Sequence, residues 1–379
     1  MKKTAERESN LELYRIIVML LIVAHHYVVN SGMISAEGPF YQSAYSGELK
    51  SLFVLLFGAW GKTGINCFVL ITGYFMCKSQ ITLKKFMKLL FEIMFYRIVI
   101  NSIFWITSYR QFSLIELIKV IIPVRAVDVG FTSAYLVFFL LIPFLNVLVK
   151  NMTEKQHIFL LCLLSFTYIF LGTIPGFSVT MNYVSWFSVL YFIAAYIRLY
   201  PKKIFNNTKM WGFITIILVL VSALSVIVCT MAHILSYYYF VQDSNTLLAV
   251  LLGISSFLFF KNLKIKNSKL INSISATCFG VLLIHANGEA MRTWLWIDVL
   301  NNAGMYNSSW LVIHAFASVL IVFVVCSAID MLRIKLIEKP FFCWYDKHYD
   351  RFNNWYKEKE RFQKGLILKN NIKVTQMFA

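Results

Sequence analysis

The sequence predicts an all-α polytopic membrane protein of about ten transmembrane helices with both termini cytoplasmic. Three observations predict it. Of the 379 residues, 59% are hydrophobic and only 14% are charged, whereas soluble domains carry about 45–50% apolar and about 25% charged residues. Apolar stretches near the length of a bilayer crossing recur along the chain. Basic residues also concentrate in alternate connections between those stretches. Together these exclude a soluble globular enzyme, a disordered chain and a disulfide scaffold.

In chain order, the expected spans are 11–31, 52–76, 87–108, 132–149, 156–174, 183–200, 210–232, 245–260, 273–291 and 309–332. The first has no small-residue cleavage site after it and reads as a retained helix, not a leader. The second holds Gly58, Gly61, Gly64 and Gly73, which blur its boundaries. Lys2, Lys3 and Arg7 precede the first span; Lys78, Lys84, Lys85 and Lys88 follow the second. Lys150 and Lys155, then Arg198, Lys202 and Lys203, then Lys261, Lys264, Lys266 and Lys269 follow the fourth, sixth and eighth. Segments 32–49, 175–182 and 233–244 contain no Lys or Arg. This alternation sets the orientation, with an even number of spans between cytoplasmic termini. The amphipathic stretch 109–131, with Arg110, Lys119 and Arg125, breaks the pattern on the outer side.

The net charge of +18 reads as topology and contact with anionic lipid, not as nucleic-acid binding. The organisation expected is a membrane core over 1–340 and a basic cytoplasmic tail over 341–379, the latter mixing Trp344, Tyr345, Trp355 and Tyr356 with basic residues. No internal repeat is visible. The seven cysteines are scattered without a CxxC, and the histidines lack ligand spacing, so neither disulfides nor a metal are expected.

The chemistry is sought in polar groups within the spans, because a charge in the hydrocarbon core costs at least about 2.5–3.5 kcal/mol. The first span carries Glu12, Arg15, His25 and His26. At about 100° and about 1.5 Å per residue, Arg15 and His26 lie within about 20° of one face and about 16 Å apart. Glu12 sits one turn before Arg15 on nearly the same face. Arg15 can bind a phosphate or carboxylate; His26 can serve as a general base. The alternatives are a snorkelling guanidinium and an imidazole bonded to the backbone. His285, with Asn287, Glu289 and Arg292 close behind, falls at the same end as His26 and is a candidate to orient it or the acceptor. Arg292 suits an anionic sugar, a lipid phosphate or an interfacial anchor. Glu92 and Arg97 face different directions and should pair with other helices, whereas Asp330 and Arg333 suit a local i,i+3 ion pair.

These residues resemble a known family. Arg7, then Leu11-Glu12-Leu13-Tyr14-Arg15, then ten residues and His26, look like the first helix of the acyltransferase 3 family, with Glu12 where Asp is common. Gly64 to Phe75, Ala134-Tyr135 through Pro143-Phe144-Leu145-Asn146, Trp186 to Arg198, and Thr277 to His285 are similar to later family segments, in order. The resemblance covers about residues 7–340. It implies an integral-membrane O-acyltransferase of the cell membrane. Acetyl-CoA would be the donor, with no bound cofactor, and a sugar hydroxyl of an envelope glycan the acceptor.

The expected catalytic residues are His26, Glu12 and His285, the expected donor contacts Arg15, Lys85 and Lys88, and the expected substrate contacts Thr72, Tyr74 and Arg292. Lys84, Lys85 and Lys88 stand where an Arg pair is common, giving point charges without a bidentate fork. Thr72 replaces a commoner Ser. Further partners expected are membrane lipids; homo-oligomerisation is left open. The competing class is a transporter or flippase for a lipid-linked glycan, which would not require the acid–Arg–His stripe but would show related halves with interrupted helices.

Overall fold

The computed structural model describes residues 8–35, 37–40, 48–127, 130–177, 179, 181–232 and 236–349. Lys2, Lys3, Arg7, His233 and the tail beyond 349, with Trp355 and Tyr356, lie outside the described residues. The chain divides into two compact units, 1–327 and 328–379. The described residues are helical or in connections, with no strand among them.

Helices α1 (Ser9–Val29), α2 (Leu49–Gly58), α3 (Gly61–Met76), α4 (Leu83–Ile106), α5 (Leu114–Ile121) and α6 (Phe131–Asn151) form the first half. They are followed by α7 (Glu154–Leu164), α8 (Tyr183–Leu199), α9 (Thr208–Ala232), α10 (Leu247–Asn262), α11 (Lys269–Ser275), α12 (Cys278–His285), α13 (Glu289–Thr293) and α14 (Leu311–Arg333). Several starts are written locally. The Thr82 hydroxyl accepts the Lys85 amide, Asn182 accepts that of Ser185, and Thr153 with Gln156 closes a reciprocal cap.

Among the described residues, seven helices are long and apolar enough to cross a bilayer: Ser9–Val29, Leu49–Met76, Leu83–Ile106, Phe131–Asn151, Glu154–Thr173, Thr208–Ala232 and Leu311–Tyr349. The sequence had placed about ten. Two of the other expected spans are the shorter apolar helices Tyr183–Leu199 and Leu247–Asn262. The ninth is broken: Lys269–His285 and Glu289–Val299 meet at 98°, so counting the bent pair as one span gives eight. The second expected span is interrupted too, between Gly58 and Gly61.

In the first unit, α1 is central and packs against α2, α3, α10, α11 and α12. Helix α3 in turn packs on α8 and α10. Gly61 is obligatory for this approach, since a Cβ there would stand 2.2 Å from the His25 ring. Helix α9 instead exposes Phe213, Ile216, Leu220 and Leu224, the surface expected of a lipid-facing helix.

The segments quoted for the family resemblance are tied to one another by buried and partly buried polar bonds. Trp186 Nε1 donates to Asn66 Oδ1 at 2.9 Å, and the Thr72 and Tyr135 hydroxyls meet at 3.0 Å. Arg198 donates to the Tyr74 hydroxyl at 2.6 Å and Tyr191 to Asn146 at 2.5 Å. Asn146 also donates to the Met76 and Ser79 carbonyls, capping the end of α3. Apolar burial between helices gains little in lipid, so such bonds specify their pairing. In the second unit, Arg333 bridges Asp330 at 2.7 Å and Glu338 at 2.6 Å, all three buried.

Candidate active site

Helix α1 carries polar groups at both ends of one unbroken 21-residue helix. Near its start, Arg15 pairs with Glu12 at 2.9 Å, and the Ser275 hydroxyl at the end of α11 donates to the same Glu12 oxygen. Glu12 is buried, while 25% of the Arg15 side chain remains exposed. Tyr135, bonded to Thr72, is within electrostatic reach of Arg15. Lys85 bonds the Ser79 hydroxyl and Gln80 carbonyl in the connection before α4. Lys88 lies one turn further along α4, so both lysines stand at that helix's start.

Near the other end of α1, the imidazoles of His26 and His285 meet, Nδ1 to Nε2, at 2.9 Å. His285 is fully buried, and its Nδ1 lies 2.6 Å from the Val281 carbonyl one turn earlier. A carbonyl can only accept, so His285 Nδ1 carries a proton and donates it. With both rings neutral, His285 Nε2 then accepts from His26 Nδ1, and the lone pair of His26 rests on Nε2. The chain carbonyl–His285–His26 thus fixes the tautomer of the last ring. His25 bonds the Gly58 carbonyl at 2.6 Å through its own Nδ1 and ties α1 to α2.

The break after His285 builds the surrounding wall. Beyond Gly288 the chain bends by 98°, and Trp296 packs edge-on against His285 and Tyr27, with ring centroids 6.2 and 6.3 Å away. Asn302 donates to the Tyr27 carbonyl at 3.0 Å and fastens the segment beyond the bend. The same turn sets Arg292 on the rim of a cavity of about 420 Å³ that His25 and His26 also line. Lys62 from α3 and Arg97 from α4 complete its cationic wall. Thr72, Tyr74, Arg15, Lys85 and Lys88 are not among its lining residues.

Sequence reading singled out Arg97 without its place here and overlooked Lys62. A lysine inside the second apolar stretch was the available signal, obscured by the neighbouring glycines. Arg97 donates to the carbonyls of Lys119, Val120 and Ile122, closing the end of α5. On α5, Lys119 donates to Glu116 and holds its carboxyl below the usual carboxylate range, with Arg110 adding to the effect. Among the described residues no three His, Cys, Asp or Glu side chains converge to hold a metal ion.

The family model for an acyltransferase domain, acyltransferase 3, matches residues 8–331, nearly the whole chain. No curated protein and no solved structure matches it. The chain belongs to the acyltransferase 3 family and is a membrane acyltransferase.

Proposed function

We propose that this chain transfers an acetyl group from acetyl-CoA to a sugar hydroxyl of an envelope glycan, at the cell membrane and with both termini in the cytoplasm. The observation that carries the reading is the His26–His285–Val281 relay, which assigns the lone pair of His26 to Nε2, in a residue that lines a cavity of about 420 Å³. In the proposed step His26 Nε2 accepts the acceptor's hydroxyl proton as that oxygen attacks the thioester carbonyl. The carbonyl–sulfur bond breaks, the ester forms, and the imidazolium returns the proton to the departing thiolate. His285 is a positioning residue, as is the Val281 carbonyl.

Arg15 is proposed to meet the donor's phosphates from the cytoplasmic end, with Lys85 and Lys88 supplying further positive charge. Glu12 positions Arg15 through their 2.9 Å contact. A pantetheine arm is long enough for a donor held there to extend its thioester along α1 toward His26, about 16 Å further on by helix rise. Thr72 and Tyr74 serve chiefly as ties to α6 and α8, since their hydroxyls are engaged by Tyr135 and Arg198.

The test is transfer from radiolabelled acetyl-CoA in membranes holding the full chain. Wild type is expected to label glycan. Arg15→Gln should raise the donor KM, and His26→Ala should remove labelling at saturating donor. Full labelling by His26→Ala would overturn the base assignment.

A further inference from the structure

The cavity beside His26 is unusual in its charge. Lys62, Arg97 and Arg292 line it, and no carboxylate stands among its described lining residues. Arg97 is anchored by its three carbonyl bonds. Lys62 donates to the Tyr183 hydroxyl at 3.2 Å and stands over that ring, so its charge is oriented but not neutralised. Arg292 is exposed and has no hydrogen-bond or ion-pair partner within contact distance among the described residues. Glu289, one turn before it, interacts only at longer range.

A second cavity of about 240 Å³ shares Arg97, Ala126, Ser133 and Asn287 with the first, and so adjoins it. It adds Arg110, Lys119 and Arg125 against Glu116 and Glu289. These are the basic residues that break the alternation of charge along the sequence. Topology does not require cations at this end of the helices. Three cations around a partly enclosed space repel one another, and the arrangement favours a bound anion.

We infer that the acceptor offered to His26 is an acidic glycan, carrying a carboxylate or phosphate near its reacting hydroxyl, with Lys62 and Arg292 as the residues that read the charge. The inference rests on the proposed acyl transfer for its meaning, but not for its measurement. Arg97 braces the wall between the two cavities, so the anion enters between Lys62 and Arg292 while the hydroxyl faces His26.

The test uses the full chain in phosphatidylcholine nanodiscs, titrated calorimetrically with three matched probes: cellotetraose, its C6-oxidised tetra-uronate, and its 6-phosphorylated form. At least one charged probe should bind roughly tenfold or more tighter than the neutral one at moderate salt. The carboxylate and phosphate arms identify which anion is read. Lys62→Gln with Arg292→Gln should bring the ratio to within about twofold, and Lys62→Arg with Arg292→Lys should restore it. Equal affinity for all three probes, including absence of binding by any, overturns the inference. So does a charge preference that survives the double glutamine variant. Acetyl transfer by His26→Ala is scored separately: if it persists, the base assignment fails, while the affinity ratio still decides the acidic acceptor.

Discussion

The two ends of α1 hold their polar residues in opposite ways. Near the start, Arg15 faces a carboxylate, and that carboxylate is held by a serine from α11. Near the end, His26 leans on a second imidazole and a backbone carbonyl, and the cations around it have no described carboxylate among the cavity's lining residues. The first arrangement orients the Arg15 guanidinium by an ion pair and leaves a quarter of the side chain exposed. The second sets His26 and the cations Lys62, Arg97 and Arg292 along the wall of one cavity. The lesson is that a polar residue in a span marks chemistry when its bonds orient it without using up its reactive atom.

The largest expected effect breaks the second end outright. His26→Ala should lower acetyl transfer about a thousandfold, within the span usual for a general base, with the acceptor KM little changed. Next comes the relay. His285→Ala should lower kcat by about tenfold to a hundredfold, as with other partners that orient a working histidine. His285→Gln, whose amide oxygen can accept the His26 proton, should recover part of that loss. A purely structural role for His285 would instead lower the amount of folded protein and leave kcat per folded molecule unchanged.

A smaller effect is expected at the Arg15 end. Glu12→Gln removes the partner of Arg15, whose exposure of 25% softens the penalty to about 1 kcal/mol. Thermal unfolding in detergent should come a few degrees earlier, and the donor KM should rise more than the acceptor KM.

The smallest effect sharpens the cavity end at its rim. Lys119 depresses the Glu116 carboxyl, so that ion pair stabilises α5 fully above the unfolded carboxylate's pKa of about 4.3 and is lost as pH falls through the lower folded value. The protection factors of amides 110–121, corrected for the intrinsic exchange rate at each pH, should therefore fall on acidification through that value, and less so in Glu116→Gln. The difference should also shrink in high salt, because these side chains are partly exposed.

Much of the fold is legible in the sequence. The all-helical class follows from composition and recurrent apolar runs, and the Glu12, Arg15, His26 stripe from helical periodicity. The 333–330 ion pair was readable from i,i+3 spacing, but its second acid, Glu338, comes from a turn with wider helical winding that spacing does not reveal. Lys62 was hidden because local hydropathy averages a single cation away among apolar neighbours. The bend after His285 was hidden too: Asn287, Gly288 and Glu289 interrupt the apolar run there, but hydropathy carries no sign of direction. That bend, a tertiary feature, is what brings Arg292 to the cavity.

The central claim is that His26 is the base of an acetyl transfer to a surface glycan. The most direct measurement is proton NMR of the surface polymer from a strain lacking the chromosomal copy, complemented with wild type or with His26→Ala. The expected result is an O-acetyl signal restored by wild type and absent with His26→Ala at equal protein level. An undiminished O-acetyl signal with His26→Ala would contradict the claim, and unchanged acetylation with accumulated lipid-linked precursor in the deletion strain would point instead to a transporter of that glycan.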